Sequence, residues 1–317
     1  MKRYGGLWEQ VCSLENIELA HRRARKGKAH YGEVIMVDRD PDHYFGVIRE
    51  LLINKAYVNS RYTIMLKTDG VKDREIWKLP YFPDRVIHHC MVNVLEGIWM
   101  QGFIRDTYSS LPGRGVHDGV KRIRKALLSV EETTYCLKMD IKKFYQTIDH
   151  EALKKIVRRK IKDADLLWLL DLIIDSAVGV PIGNYSSQYF ANIYLSDFDH
   201  WLKEEKRVKH YFRYCDDLVI LGNKKDELHG LRLAIDEYLS TRLKLTVKGN
   251  WQVFPIDVRG VDFLGYRFFH GYTLVRKSIV QRFKTKYQKG DKKSMAAYNG
   301  WFVWANTYNL RKKYDWK

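Results

Sequence analysis

Cysteine is scarce in this chain. Its 317 residues include four, Cys12, Cys90, Cys136 and Cys215, widely separated and without a Cys-x-x-Cys pair. That spacing argues against a disulfide framework or a zinc site and leaves reduced, mostly buried thiols. The six prolines impose few breaks. No uninterrupted apolar run approaches the roughly 18 residues that a membrane span requires. The opening MKRYGGLWEQ lacks the apolar core of a secretory signal. A soluble intracellular protein is the expectation.

Acidic residues are also in short supply. Against 56 Lys and Arg stand 38 Asp and Glu, a formal net charge of +18. Such a surplus points to a polyanionic partner, most often nucleic acid, although charge alone is equally that of a merely basic protein. What is plentiful is core material: 45% hydrophobic and 14% aromatic residues, enough for a large core and two or three subdomains.

No repeat or low-complexity linker divides the chain. Basic HRRARKGKAH (residues 21–30) reads as part of a helix. Tyr57 to Leu79 is strand-like, with Asp69-Gly70 as a hairpin turn signal. RVIHHCMVNVLEGIW then reads as a helix. YCLKMD is a short strand ending in Asp140, and Asp149 is a plausible N-cap for the helix that follows. In that helix Leu153, Ile156, Val157 and Ile161 share a face, with Lys154, Lys155, Arg158, Arg159 and Lys162 largely off it. This basic face suits solvent or nucleic acid equally well. SSQYFANIYLSDFDHWLKEE reads as a helix capped by Ser186 or Ser187. HYFRYCDDLVILG gives strand, tight turn and strand, with Asp216 and Asp217 at the turn. LRLAIDEYLSTRLKL is amphipathic, and VDFLGYRFF is an aromatic-rich strand pair. From Arg276 onward, basic residues interleave with aromatics such as Phe283, Tyr298, Trp301 and Phe302. Such a segment can lie on a nucleic-acid backbone or form a small bundle with core aromatics, and both can hold at once, because aromatics face in and bases face out.

Adjacent carboxylates repel each other, and a strand interior is a poor place for them. Asp216-Asp217 therefore marks either a wet turn or a cation site. Antiparallel strands carrying Asp140 and this pair would gather three carboxylates. Oxygen donors favour Mg²⁺, and two such ions form the clamp used for phosphoryl transfer in polymerases. A basic protein with that cluster is a candidate nucleotidyltransferase.

KMDIKKFYQTID, GVPIGNYSSQYFANIYL, YCDDLVIL and VDFLGYRFF, in this order, resemble the palm motifs of reverse transcriptases. QGFIRDTYSSLPGRGVHDGV resembles a fingers motif of the bacterial, group II intron-like branch. The likeness runs from about Tyr57 to the C-terminus. It implies an α+β right-hand polymerase: N-terminal helical extension 1–55, fingers 56–130, first catalytic palm strand 131–150, fingers and palm helices 151–179, palm 180–270 and a short helical thumb 271–317.

By the same resemblance, Asp140 and Asp216 are the main metal ligands, the Ile141 carbonyl assists, and Asp217 completes the motif. Two Mg²⁺ ions are implied, with Mn²⁺ as a substitute. Tyr145 matches the aromatic steric gate that favours dNTPs, with Phe144 as competitor and a plain core role as alternative. Arg74 matches the arginine that grips the triphosphate, with Lys72 as a second cation; guanidinium suits phosphate, although a solvated turn cation would look the same. Lys248 matches a lysine that acts as general acid toward pyrophosphate. Phe263, Leu264, Gly265 and Tyr266 match the primer grip.

PIGNYSSQ departs from the common pattern, Pro-Gln-Gly followed by Ser-Pro. Ile182 replaces Gln, Gly183 is retained, and Gln188 replaces Pro. The Gly-x-x-x-Ser-Gln form resembles the reverse transcriptases of diversity-generating retroelements. Those enzymes copy a template RNA into cDNA with errors at template adenines, for replacement of a variable gene segment. The likeness implies template RNA, cDNA or RNA/DNA hybrid, dNTPs and a small, basic, oligomeric accessory protein as partners, no membrane, and the cytoplasm of a bacterial, phage or archaeal host. Rival readings are a retron or phage-defence reverse transcriptase, an RNA-dependent RNA polymerase, and an inactive nucleic-acid-binding scaffold.

Overall fold

The computed structural model describes residues 2–69 and 72–315. The chain separates into two compact units, each assembled from discontinuous segments. Residues 1–103, 143–199 and 243–245 form one; residues 104–142, 200–242 and 246–317 form the other. Among the described residues no helix is long and apolar enough to cross a membrane.

The first unit is mainly helical. Its central element is the helix Val86–Met100, apolar on nearly every face, with Val86, Ile87, Cys90, Met91, Val92 and Leu95 fully buried. A helix this apolar has to be surrounded. Helices Trp8–Cys12, Leu14–Ala24 and Tyr185–Tyr194 pack around it. The basic stretch 21–30 is only partly helical: its helix stops at Ala24. Beyond it Arg25 pairs with Asp38 at 2.5 Å.

Strands β1 (Thr63–Asp69) and β2 (Lys72–Lys78) pair antiparallel from Thr63–Lys78 to Asp69–Lys72. Gly70 of the expected turn lies outside the described residues. Asp149 caps helix His150–Lys160 as expected, accepting the Ala152 N–H at 2.9 Å. The basic face of that helix is largely ion-paired within the unit. Lys154 meets Asp175, Arg158 meets Asp171 and Arg159 meets Asp197.

Neither Ser186 nor Ser187 caps its helix. The helix begins at Tyr185 after Asn184. The two serine hydroxyls turn inward instead, Ser187 donating to the Pro181 carbonyl at 2.6 Å and Ser186 bonding His88 Nδ1 at 3.0 Å.

The second unit holds a four-stranded antiparallel sheet, β3 (Tyr135–Asp140), β4 (His210–Tyr214), β5 (Asp217–Gly222) and β6 (Gln252–Pro255), in the order β4-β5-β3-β6. One face presents Cys136, Phe212, Val219, Leu221 and Phe254 to a core shared with helix Val116–Ala126 and the C-terminal helices. A three-stranded sheet follows, β7 (Val261–Phe263), β8 (Tyr266–Phe268) and β9 (Thr273–Val275).

In the C-terminal helices aromatics face inward, as the bundle reading expects. Phe283 and Phe302 are core residues, and Phe283 meets Tyr287, Tyr298, Phe302 and Tyr314 at 4.9–5.9 Å between ring centres.

Leu264 and Gly265 join β7 to β8 with φ of 52° and 85°, both positive as a type I′ hairpin demands. A Cβ on Gly265 would lie 2.4 Å from the Trp301 ring. Gly265→Ala is therefore expected to add packing strain, about 1–3 kcal/mol, to the cost of its positive φ. Gly271→Ala, also at positive φ but in open space, carries the backbone cost alone. Denaturant unfolding of the two variants checks this, and equal midpoints would contradict the clash.

Candidate active site

The site's acids are placed by register. Asp140 ends β3 directly opposite Asp217, the first residue of β5. In an antiparallel pair, opposed side chains share a face. β4 and β5 are joined through Cys215 and Asp216, with Tyr214 paired to Asp217. Only Asp216 of the acid pair lies in the turn itself; Asp217 has already entered the strand. Cys215 takes φ 53°, an unusual value for a residue with a side chain, and its Sγ lies 2.7 Å from Ser109 Oγ. The Ile141 N–H donates to the Asp216 carbonyl at 3.1 Å, tying the turn to the end of β3.

Segment 246–248 runs alongside. Lys142 N–H bonds Thr246 C=O and Lys248 N–H bonds Asp140 C=O, both at 2.8 Å. This places Lys248 Nζ 3.5 Å from Asp140 Oδ1 and 3.9 Å from Asp216 Oδ2. The ammonium thus stands beside both carboxylates as a cation would. An all-oxygen donor set suits Mg²⁺, and the Lys248 ammonium faces these same carboxylates. Ile141 is buried and apolar, so its carbonyl is what it can offer a metal. Among the described residues no three His, Cys, Asp or Glu side chains converge as a ready-made metal cage.

Asp217 has a different partner. Lys138 shares a face of β3 with Asp140, diagonal to Asp217, and its ammonium contacts the Asp217 carboxylate. The same ammonium lies 5.3 Å from the centre of the Phe263 ring. Lys138 escaped the sequence reading because a lysine in a short strand looks like an edge or solvent residue. Its signal was the two-residue spacing to Asp140, which puts both on one face.

The residues expected to form a primer grip belong to this unit too. Phe263 and Tyr266 are fully buried and Leu264 nearly so. The Tyr266 hydroxyl donates to the Trp301 carbonyl at 3.1 Å. What these residues can offer nucleic acid is the turn backbone at 264–265.

The first unit gathers the other group. Phe144 is buried; Tyr145 is half-buried, and its hydroxyl donates to Gln188 Oε1 at 2.9 Å. The Trp77 N–H donates to the Ile182 carbonyl at 2.8 Å, so β2 continues onto the PIGNYSSQ loop. Gly183 lies against this junction with φ 136°, where a Cβ would meet the Trp77 carbonyl oxygen at 2.3 Å. Tyr62 reinforces it. Its ring packs on Trp77 at 5.5 Å, and its hydroxyl bonds Ser176 at 2.7 Å and accepts from Asn184 Nδ2 at 2.8 Å. Arg74 is exposed on β2, opposite Lys67 and within the strand instead of a turn. Lys72 is on the same strand, with its side chain outside the described residues.

Charge and burial compete at Asp217. Desolvation raises its carboxyl to about 6, overcoming the pull of Lys138, and the charges of Asp140 and Asp216 push the same way. Its folded pKa thus exceeds the ordinary carboxylate value near 4. Folding favours the protonated form. The contribution is full below about pH 4 and lost as pH rises through about 6. In EDTA, the Tm of the parent is expected to fall relative to that of Asp217→Asn between pH 4 and 7. A pH-independent difference would contradict this.

The family model described as reverse transcriptase (RNA-dependent DNA polymerase) matches residues 67–268, well over half of the chain. Protein YkfC of Escherichia coli strain K12 is 26% identical over 268 residues, covering 70% of each chain. The retron Ec83 reverse transcriptase of Escherichia coli is 23% identical over 205 residues, 56% of this chain and 62% of that one. Telomerase from Candida albicans, solved with the TWJ fragment of telomeric RNA, superposes with a TM-score of 0.52 at 13% identity, over 74% of this chain and 51% of that one. The chain thus spans about half of that telomerase chain, and at this identity the likeness is one of fold. It agrees with the expected α+β right-hand polymerase class. With the motif order, the paired catalytic strands and the family match in accord, the chain belongs to the reverse transcriptase (RNA-dependent DNA polymerase) family.

Proposed function

We propose that this chain is the RNA-directed DNA polymerase of a diversity-generating retroelement, copying a template RNA into cDNA with errors concentrated at template adenines. The observation that carries the finer reading is Ile182 with Gln188 in PIGNYSSQ. The register that sets Asp140 opposite Asp217 supports the polymerase chemistry.

Reverse transcriptases use divalent metal ions, and the donor set around Asp140 and Asp216 fits them. When bound, such ions activate the primer 3′-hydroxyl and stabilise the triphosphate and leaving pyrophosphate. The chain's residues do the rest. Asp140 and Asp216 supply anionic oxygens. Lys248, within 4 Å of both, would have a proton to give to pyrophosphate. Lys138 keeps Asp217 neutralised from its other side. Arg74, exposed on its hairpin, grips phosphate in a guanidinium fork. Tyr145 lies under the sugar and disfavours a 2′-hydroxyl.

Ile182 is where fidelity is set. Its carbonyl is committed to Trp77, which leaves its side chain as the group to meet the nascent base pair on this reading. A Gln there can hydrogen-bond and fix nucleotide geometry; an Ile offers only a branched apolar surface. Discrimination is strong when a wrong partner strands a polar group and weak when only shape is read. Template RNA, cDNA and dNTPs are the partners on this reading, together with a small basic oligomeric accessory protein. The six-part division from N-terminal extension to thumb is part of the same proposal.

The retron Ec83 relative favours a second reading, a retron-type enzyme without adenine mutagenesis. Sequencing cDNA made on a defined RNA template separates the two. The retroelement reading expects substitutions concentrated opposite adenine, with Ile182→Gln lowering them; an unchanged error spectrum in that variant would sink the fidelity role. Asp140→Asn or Asp216→Asn is expected to reduce Mg²⁺-dependent primer extension at least about a thousandfold, the scale of several kcal/mol of metal-assisted stabilisation. Normal extension by either variant would refute its role as a metal ligand.

A further inference from the structure

Gln188 stands where most of the family has proline, a residue with no side-chain hydrogen-bond acceptor. What Gln188 adds is a side chain that accepts the Tyr145 hydroxyl at 2.9 Å.

Both partners are held firmly. The backbone before Gln188 is fixed by the Ser187 hydroxyl on the Pro181 carbonyl at 2.6 Å. The residue after it, Tyr189, is buried with its hydroxyl on Glu96. Tyr145 sits in the short helix Phe144–Thr147, entered through Lys143 at φ 47°. Its carbonyl accepts the Val180 N–H at 2.7 Å. The segment 180–188 therefore grips Tyr145 at both ends, at the backbone through Val180 and at the hydroxyl through Gln188. A tyrosine ring pinned at both ends loses the freedom to swing about its first side-chain torsion.

From this we infer that Gln188 is a positioning residue for sugar selection: its amide oxygen holds the Tyr145 ring in the orientation that excludes a ribonucleotide. The inference rests on the reading of Tyr145 as the steric gate. It gives the Gln-for-Pro replacement a role separate from that of Ile182. Ile182 bears on which base is accepted, and Gln188 on which sugar.

The test is the ratio of kcat/KM for dNTP to that for rNTP, measured with the full chain on an RNA template and DNA primer in Mg²⁺. Gln188→Leu removes the acceptor while keeping the side-chain size, and Tyr145→Phe removes the donor while keeping the ring. Each is expected to lower the ratio about 3- to 10-fold, the worth of one neutral hydrogen bond. The double variant should match either single one, because both remove the same bond. Gln188→Glu, which retains an acceptor, should stay within about twofold of the parent.

An unchanged ratio in Gln188→Leu, or independent multiplying effects in the double variant, would overturn the positioning role even if Tyr145→Ala still lost discrimination. An unchanged ratio in Tyr145→Ala would remove the gate, and this inference with it. Because the readout is a ratio within each variant, a general loss of stability would lower both terms and leave the comparison intact.

Discussion

The arrangement of the acids depends on one constraint, that Asp140 and Asp217 are directly opposed across an antiparallel pair. Like charges facing each other on a sheet are destabilising, and a third carboxylate, Asp216, lies in the adjoining turn. The fold meets this load with two lysines from different directions. Lys138 comes from within β3, and Lys248 from the segment bonded to the Asp140 carbonyl. Lys138 meets Asp217, and Lys248 stands beside Asp140 and Asp216. The strands below, with Cys136, Val219, Leu221 and Phe212 in the core, hold the strained end in place.

Much of this was legible in the sequence because it follows from local pattern. Short apolar strands ending in acids, the Asp149 cap, the amphipathic helices and the aromatic hairpin all announce themselves within a few residues. The clustering of acids in a basic chain was legible too, since like charges brought together need a reason. The helix start at Tyr185 was misjudged because Ser186 and Ser187 have good capping chemistry but use it inward, on His88 and Pro181. That choice is set by tertiary neighbours, which spacing does not reveal. The basic run at 21–30 looked uniformly helical, yet its helix stops at Ala24 and Arg25 turns to Asp38.

The side-chain pairings that refine the site were beyond reach for the same reason. Lys138 meets Asp217 across 79 residues and Tyr145 meets Gln188 across 43. Each residue, taken alone, has an ordinary explanation: a solvated strand lysine, a core aromatic, a polar helix residue. Register and loop closure convert them into partners. The resemblance to reverse transcriptases supplied positions for the acids and the gate. It had nothing to say about Lys138, and it marked Gln188 as a departure without saying what the glutamine touches.

The junction between β2 and the PIGNYSSQ loop has a different kind of consequence. Its central bond joins the Trp77 amide to the Ile182 carbonyl, and Gly183 lets the two backbones meet. No side chain at position 182 takes part. The bond is made by backbone atoms alone, so the anchor and the side chain displayed at 182 are chemically separate. A lineage carrying this scaffold is thereby free to alter what the loop displays one codon at a time, with the architecture inherited intact.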